Sequence, residues 1–210
     1  DLNATNLYVG GAFSQVNASN RNRLASISMT SGTVGSWNPN ADAEVFAVRA
    51  TASYAYVGGA FTNVGAAARN HIAELSYSGA GAATATNIDV NGDVRVISTD
   101  GTNLYFAGEF TMAGGQDRLN TAGYDLAAPG LMQWHFRVDS NIGNGSRVYA
   151  MSVINGELIV AGTMNILNPQ TRNHIAAIDR NDNLTDFNPN VDGTVHALAL
   201  NGNQLLIGGE

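Results

Sequence analysis

The string Tyr-Val-Gly-Gly-Ala-Phe stands at positions 8–13 and returns unchanged at 56–61. Looser forms follow as YFAGEF at 105–110, IVAGTM at 159–164 and LIGGE at 206–210. The glycines Gly11, Gly59, Gly108, Gly162 and Gly209 are therefore 48, 49, 54 and 47 residues apart, a period that belongs to chains built of repeated supersecondary units. Ten residues after each of the first four glycines stands an arginine (Arg21, Arg69, Arg118, Arg172), opening RNRLASIS, RNHIAELS, RLNTAGYD and RNHIAAID. A third marker pairs WNPNADAEVFAV at 37–48 with FNPNVDGTVHAL at 187–198, and DVNGDVRVI at 89–97 is its degenerate relative.

Within one copy the apolar, β-branched and aromatic residues come in runs of four to six between turn signals, which predicts strands. The first strand is the VFAV-type run at 45–48, 94–97, 148–151 and 195–198. Asp100-Gly101, Asn155-Gly156 and Asn201-Gly202 predict hairpins that lead into the second strand, because these dipeptides tolerate positive φ. A seven-residue loop, at 14–20, 62–68, 111–117 and 165–171, joins the second strand to a third that follows the arginine. A fourth strand is expected to end at Trp37, Trp134 or Phe187. Four antiparallel strands per 47 to 54 residues is the size of a β-propeller blade, so the expected fold is an all-β propeller of four-stranded antiparallel blades.

With YVGGAF, Arg-Asn-His-Ile-Ala and Phe-Asn-Pro-Asn-Val-Asp-Gly in hand, the chain resembles the delta-60-type repeat propellers of bacterial secreted and surface proteins. It is similar, more distantly, to the propeller repeats of fungal cortical-marker proteins. The resemblance covers essentially the whole chain, and it implies a propeller, export and a long multidomain parent. The second copy departs from the pattern, with Thr86 in the aromatic column and Ile88 in place of proline. Residues 1–210 are expected to form a single, partial propeller with units near 1–44, 45–93, 94–147 and 148–194 and an incomplete one at 195–210. Five second strands against four of each other strand give about four and a half blades of a larger chain.

Charge narrows the partners. Seventeen acids oppose ten bases, all of them Arg, for a net charge of −7, which argues against a nucleic-acid backbone as ligand. No apolar run approaches the ~18 residues of a spanning helix, so no membrane insertion of this segment is expected. The chain holds no Cys, which removes disulfides, thiolate metal sites and a Cys nucleophile.

Mid-strand glycines mark places where another backbone or a ring comes close, and no helix follows to make a phosphate loop of them. The repeated arginines are expected to make blade-internal ion-pair or carbonyl contacts, with Asp125 and Asp179 as partners in two copies. Trp37, Trp134 and Phe187 are expected to fill space between blades. Asp89, Asn91 and Asp93 have the alternating spacing of a calcium loop, but Val94 replaces the glycine of an EF-hand; Ca²⁺ is the one cofactor weighed, and otherwise none is expected. The position after the first valine of the first strand varies as Phe46, Arg95, Tyr149 and His196, while its neighbours stay small or aliphatic. The third copy carries an insertion within 140–146. Insertions gather on one face of repeat proteins, so Asp139, Asn141, Asn144 and Arg147 join those four as candidate binding residues.

No nucleophile stands with a base and an orienting group. The expected function is a non-enzymatic scaffold or recognition module of an extracellular or cell-surface assembly, such as an adhesin, surface layer, filament or appendage, with a protein or surface glycan as partner. A hydrolytic or carbohydrate-active propeller would need two carboxylates converging among Asp42, Glu44, Asp93 and Asp192. A viral tail or fibre component is the third alternative.

Overall fold

A computed structural model describes residues 1–133, 147–167, 171–202 and 204–210, with the side chains of 165–167 left aside. The described residues hold strands and turns and no helix, so none is long and apolar enough to cross a membrane. They fall into two compact units, one of Asp1–Ile97 with Met112–Gln116 and one of Ser98–Thr111 with Asp117–Glu210.

In the first unit Asn6–Gly10 pairs antiparallel with Leu24–Ser28. The next copy forms a sheet in the order Val45–Ala50, Tyr54–Gly59, Ile72–Ser76. In the second unit the end of the strand that reaches Thr99 leads a sheet continued by Asn103–Glu109, Thr121–Asp125 and Gly130–Leu131. Val148–Ile154, Glu157–Leu167 and Thr171–Ile178 form the following sheet, and Val195–Asn201 pairs with Gln204–Gly209. The VFAV-type strand thus pairs with the YVGG-type strand that follows it. Asn155 (φ 52) and Gly156 (φ 84) make a two-residue turn with both central residues left-handed, as that dipeptide predicts.

Two features differ from the sequence reading. The fourth strand is reduced to Gly130–Leu131 in one copy and to single bridges, Ile27 with Val34, Leu75 with Ala83 and Ile178 with Leu184, in three others. Its segments are rich in Ser, Gly, Ala, Asn and Asp, which pack weakly on a pleated surface, and a short edge strand also discourages edge pairing with other chains. The seven-residue loop is itself a tiny hairpin: Gln15–Val16 pairs with Ser19–Asn20 and Asn63–Val64 with Ala67–Ala68. Its central residues, Asn17-Ala18, Gly65-Ala66 and Gly114-Gly115, all have φ between 46° and 74°, the signature of a type I′ turn.

The core of the first unit gathers Tyr8, Leu24, Trp37, Val45, Val57, Phe61 and Leu75. That of the second includes Ile159, Ala161, Ile175, Ala177 and Val195, with Phe187 and Val191 packed against it. Trp37 fills space between copies as expected: its ring lies edge-on to Tyr8 at 5.0 Å, and its indole N–H donates to the Ser76 carbonyl of the next copy (2.9 Å). In the second copy, where Thr86 takes the aromatic column, the buried Glu74 carboxylate accepts from Tyr56 (2.7 Å), Thr84 (2.6 Å) and Thr86 (3.2 Å).

Candidate functional site

The site grows out of the three repeated markers. Each column arginine bridges two carbonyls. Arg21 donates to Asn20 and Gly35, Arg69 to Ala68 and Thr84, Arg118 to Asp117 and Met132, and Arg172 to Thr171 and Thr185, at 2.5 to 3.2 Å. The carbonyl alternative is the one the fold uses. Asp125 instead accepts the Ala127 and Ala128 amides, and Asp179 those of Asn181 and Asn183, because an Asp at a strand exit is placed to cap its own turn.

Two residues after each arginine the chain turns left-handed, at Arg23, His71, Asn120 and His174 (φ 62° to 65°). The residue between, Asn22, Asn70 or Asn173, reaches the last residue of the Asn-Pro-Asn marker or its equivalent. Asn22 donates to Asn40, Asn70 to Asp89 (2.8 Å) and Asn173 to Asn190 (2.8 Å). Those acceptors are left-handed as well, with φ of 60°, 54° and 53°. Asn and Asp tolerate this conformation better than other side chains, which explains their recurrence.

Two positions further on, Asp42 caps the small hairpin of the next copy. Its carboxylate accepts the Thr62 and Asn63 amides and both their side chains, at 2.9 to 3.0 Å. Burial works to raise this carboxyl, but the bonds from Asn63 and Thr62 together outweigh it and hold it at about 2. Asn91, in the same column, accepts the Met112 amide (2.9 Å). The connection before the first strand and the small hairpin therefore meet in both junctions.

The calcium-spaced trio is divided among these tasks. Asp89 takes the Asn70 amide and Asn91 takes Met112, while Asp93 lies 3.5 Å from His71 and 3.1 Å from Arg95. Among the described residues no group of three or more His, Cys, Asp or Glu is gathered for a metal.

The variable column meets as two separate pairs, one in each unit. Phe46, Tyr149 and His196 are the extra residues of β-bulges, at Val45/Ala47, Val148/Ala150 and Val195/Ala197. A bulge re-aims its side chain out of the ladder, which frees it to vary. The Arg95 guanidinium sits 4.1 Å from the Phe46 ring centroid, and the Tyr149 and His196 rings are 5.2 Å apart. His196 also lies 3.5 Å from Glu210. Arg147 pairs at 3.2 Å with Glu109, both side chains being well exposed. Asp139, Asn141 and Asn144 lie outside the described residues.

Sequence reasoning missed the cleft beside the Asn22–Asn40 and Asp42 contacts, which none of the variable-column residues lines. Between the Asn38–Asp42 turn, the small hairpin at 63–68 and the turn at 78–82 lies an open cleft of about 730 Å³. Asn22, Asn38, Asn40 and Asn63 supply its amides and Pro39, Ala41, Ala66 and Ala82 its walls. A second cleft, of about 450 Å³, is lined by Asn70, His71, Asp89, Val90, Asn91, Met112 and Gly115, which are the same repeat columns one copy later. The available signal was the recurrence of Arg-Asn and Asn-Pro-Asn in fixed register.

The chain is similar to the WD40 β-propeller domain of Doa1, with a TM-score of 0.58 at 12% identity over 88% of this chain and 54% of that one. It is also similar to the extracellular domain of a putative one-component system from B. thetaiotaomicron, at TM-score 0.45 and 12% identity over 97% of this chain and 32% of that one. The chain thus spans about half the length of the first and a third of the second. No family model and no curated protein matches it. With the antiparallel sheets of the described residues, the WD40 likeness establishes an all-β propeller fold.

Proposed function

We propose that this chain is a non-enzymatic recognition and scaffold module of an extracellular or cell-surface assembly. The observation that carries the reading is the pair of clefts in equivalent columns of successive copies, one repeat apart on a constant framework. A rigid scaffold that presents loop-built clefts is the arrangement of a binding surface. The use of the acids supports the non-enzymatic part: Asp42 is spent on capping the hairpin, and Asp93 faces His71 and Arg95. Placement outside the cell rests on the resemblance of the repeat markers to those of secreted and surface proteins, and the partner is accordingly a surface protein or glycan. An acidic surface without lysine gives no footprint for nucleic acid.

The test is retention of surface-protein and surface-polysaccharide fractions of the source organism on the immobilised chain. Retention is expected to fall for Ala82→Phe in the cleft and to persist for Ser53→Arg, which sits in the exposed turn between the first two strands of that copy. No retention of either fraction, or loss caused by the Ser53 variant alone, would overturn the proposal.

A further inference from the structure

We infer that the cleft between the first and second copies binds a short stretch of a neutral oligosaccharide, and that its counterpart one repeat later is a second subsite of the same kind. The inference deepens the recognition-module reading and rests on it. The cleft's 730 Å³ lies within the ~300–1,000 Å³ of small-ligand sites.

Its one acid and one arginine, Asp42 and Arg23, balance in formal charge, and both are engaged by the protein itself. Asp42 is saturated by the hairpin, and the Arg23 guanidinium is turned onto the Ala41 carbonyl at 3.0 Å. What faces a ligand is a set of neutral amides. The Asn22–Asn40 contact uses the amide nitrogen of one and the oxygen of the other, leaving an acceptor and a donor side by side. Adjacent hydroxyls of a sugar ring match such a pair, each giving one bond and taking one. Asn38 also lines the cleft, and its Oδ1 is buried without a hydrogen-bond partner, an acceptor that a ligand hydroxyl would satisfy on reaching it.

A peptide fits less well. The largest apolar residue of the lining is Val64, itself buried, and the walls are otherwise Ala, Gly and Pro, so an anchoring aromatic or leucine would find little apolar side chain to pack against. Without an aromatic platform the affinity of one cleft rests on hydrogen bonds, and repetition supplies avidity. In the second cleft Met112 replaces Asn63, Val90 replaces Ala41 and Asp89 replaces Asn40 as the acceptor of the arginine-following asparagine, which narrows it and leaves Asn70 and Asn91 as its amides. It is the weaker of the two.

The experiment follows the backbone amide resonances of 38–42, 63–68 and 78–82 in the isotope-labelled chain. Neutral oligosaccharides of glucose, galactose, mannose and N-acetylglucosamine are titrated to about 10 mM, beside a Gly/Ser/Thr-rich peptide. At least one saccharide should shift these signals with progressively weaker shifts at 89–91 and 112–115. Asn38→Ala should weaken the affinity roughly tenfold, which is ~1.4 kcal/mol, and Ala82→Phe should abolish it while the remaining amide spectrum is unchanged. Ala68→Phe blocks the same cleft from the hairpin side and serves if the Ala82 variant misfolds. Overturning results are no shift with any saccharide, shifts that survive both blocking variants, or shifts with the peptide alone. In each of these the module reading still stands if a surface fraction is retained, and it falls separately if none is.

Discussion

Gly59, Gly162 and Gly209 lack side chains for one reason. A Cβ at each would run into the carbonyl oxygen before the next valine of its own sheet, that of Glu44, Arg147 or Thr194. The preceding column serves the neighbouring copy, for a Cβ on Gly10 would meet Val45 at 2.6 Å and one on Gly58 would meet Val94 at 2.6 Å. At Gly11 the only near atoms are those of the Phe13 ring, at 3.2 and 3.4 Å, which can swing aside. Gly59→Ala should therefore cost about 3 kcal/mol and Gly11→Ala under about 1 kcal/mol, measured by urea unfolding. Equal costs at the two positions would refute the close-approach explanation. The arginine column allows a second comparison. Arg69 joins the Ala68 and Thr84 carbonyls with the two arms of one planar group, a span that an ammonium cannot cover. Arg69→Ala is expected to cost about 1.5–3 kcal/mol and Arg69→Lys to recover less than half of it in the same assay. Full recovery by lysine would show that charge, not the fork, is what matters.

At the scale of the element, two-residue turns set the register. Ala18 (φ 58) and Ala66 (φ 61) occupy positions that glycine fills at Gly115 (φ 74). Ala18→Gly should remove the left-handed strain and stabilise by about 0.5–1 kcal/mol, read as a higher melting temperature. A lower melting temperature would mean that unfolded-state entropy outweighs the strain. The same connections carry the molecule's acid sensitivity. Asp42 caps the small hairpin, and Asp100 caps its own turn by accepting the Thr102 and Asn103 amides at 2.9 and 2.7 Å. In both, burial pushes upward but the hydrogen bonds prevail and hold the carboxyl at about 2. A depressed folded-state pKa adds stability that is fully present above the unfolded value, about 4, and is lost as pH falls towards 2. Asp42 is exposed and the Asp100 side chain largely buried, so solvent screening discounts the effect mainly at Asp42. The urea midpoint is expected to drop between pH 4 and pH 2. Asp42→Asn with Asp100→Asn should be less stable at pH 6 and show a flatter profile. An unchanged slope in that double variant would remove these caps from the explanation.

At the scale of the whole molecule, stability is carried by sheets and by the junctions of neighbouring copies, as in repeat proteins generally. Trp37 crosses one junction to reach Ser76, and the bulge residues cross two, as Arg95 on Phe46 and Tyr149 beside His196. A double-mutant cycle with Phe46→Leu and Arg95→Met should give a coupling of about 0.5–1 kcal/mol, because the guanidinium is only half-buried over the ring. Strict additivity would show that the bulge column varies for binding alone and does no work between copies.

The repeat, its three longer strands per unit and the close approach at the glycine columns were legible in the sequence, because they follow from local rules. A period near 48 residues, alternation within short runs and constant spacing between markers are properties of the chain itself. The small hairpin was read only as a loop, although Gly65-Ala66 and Gly114-Gly115 carry a two-residue turn signal inside it. Only the tertiary structure decided which oxygen meets which donor. Asp89 stands in the column of Asn40 and Asn91 in that of Asp42, so a trio that reads as a cation loop along the chain is distributed by folding among Asn70, Met112, His71 and Arg95. The clefts are of the same kind, for Asn38 and Ala66 are 28 positions apart and become neighbours only when two copies pack. Pattern along the chain specifies the unit, whereas the surface between units belongs to side chains that no local rule brings together.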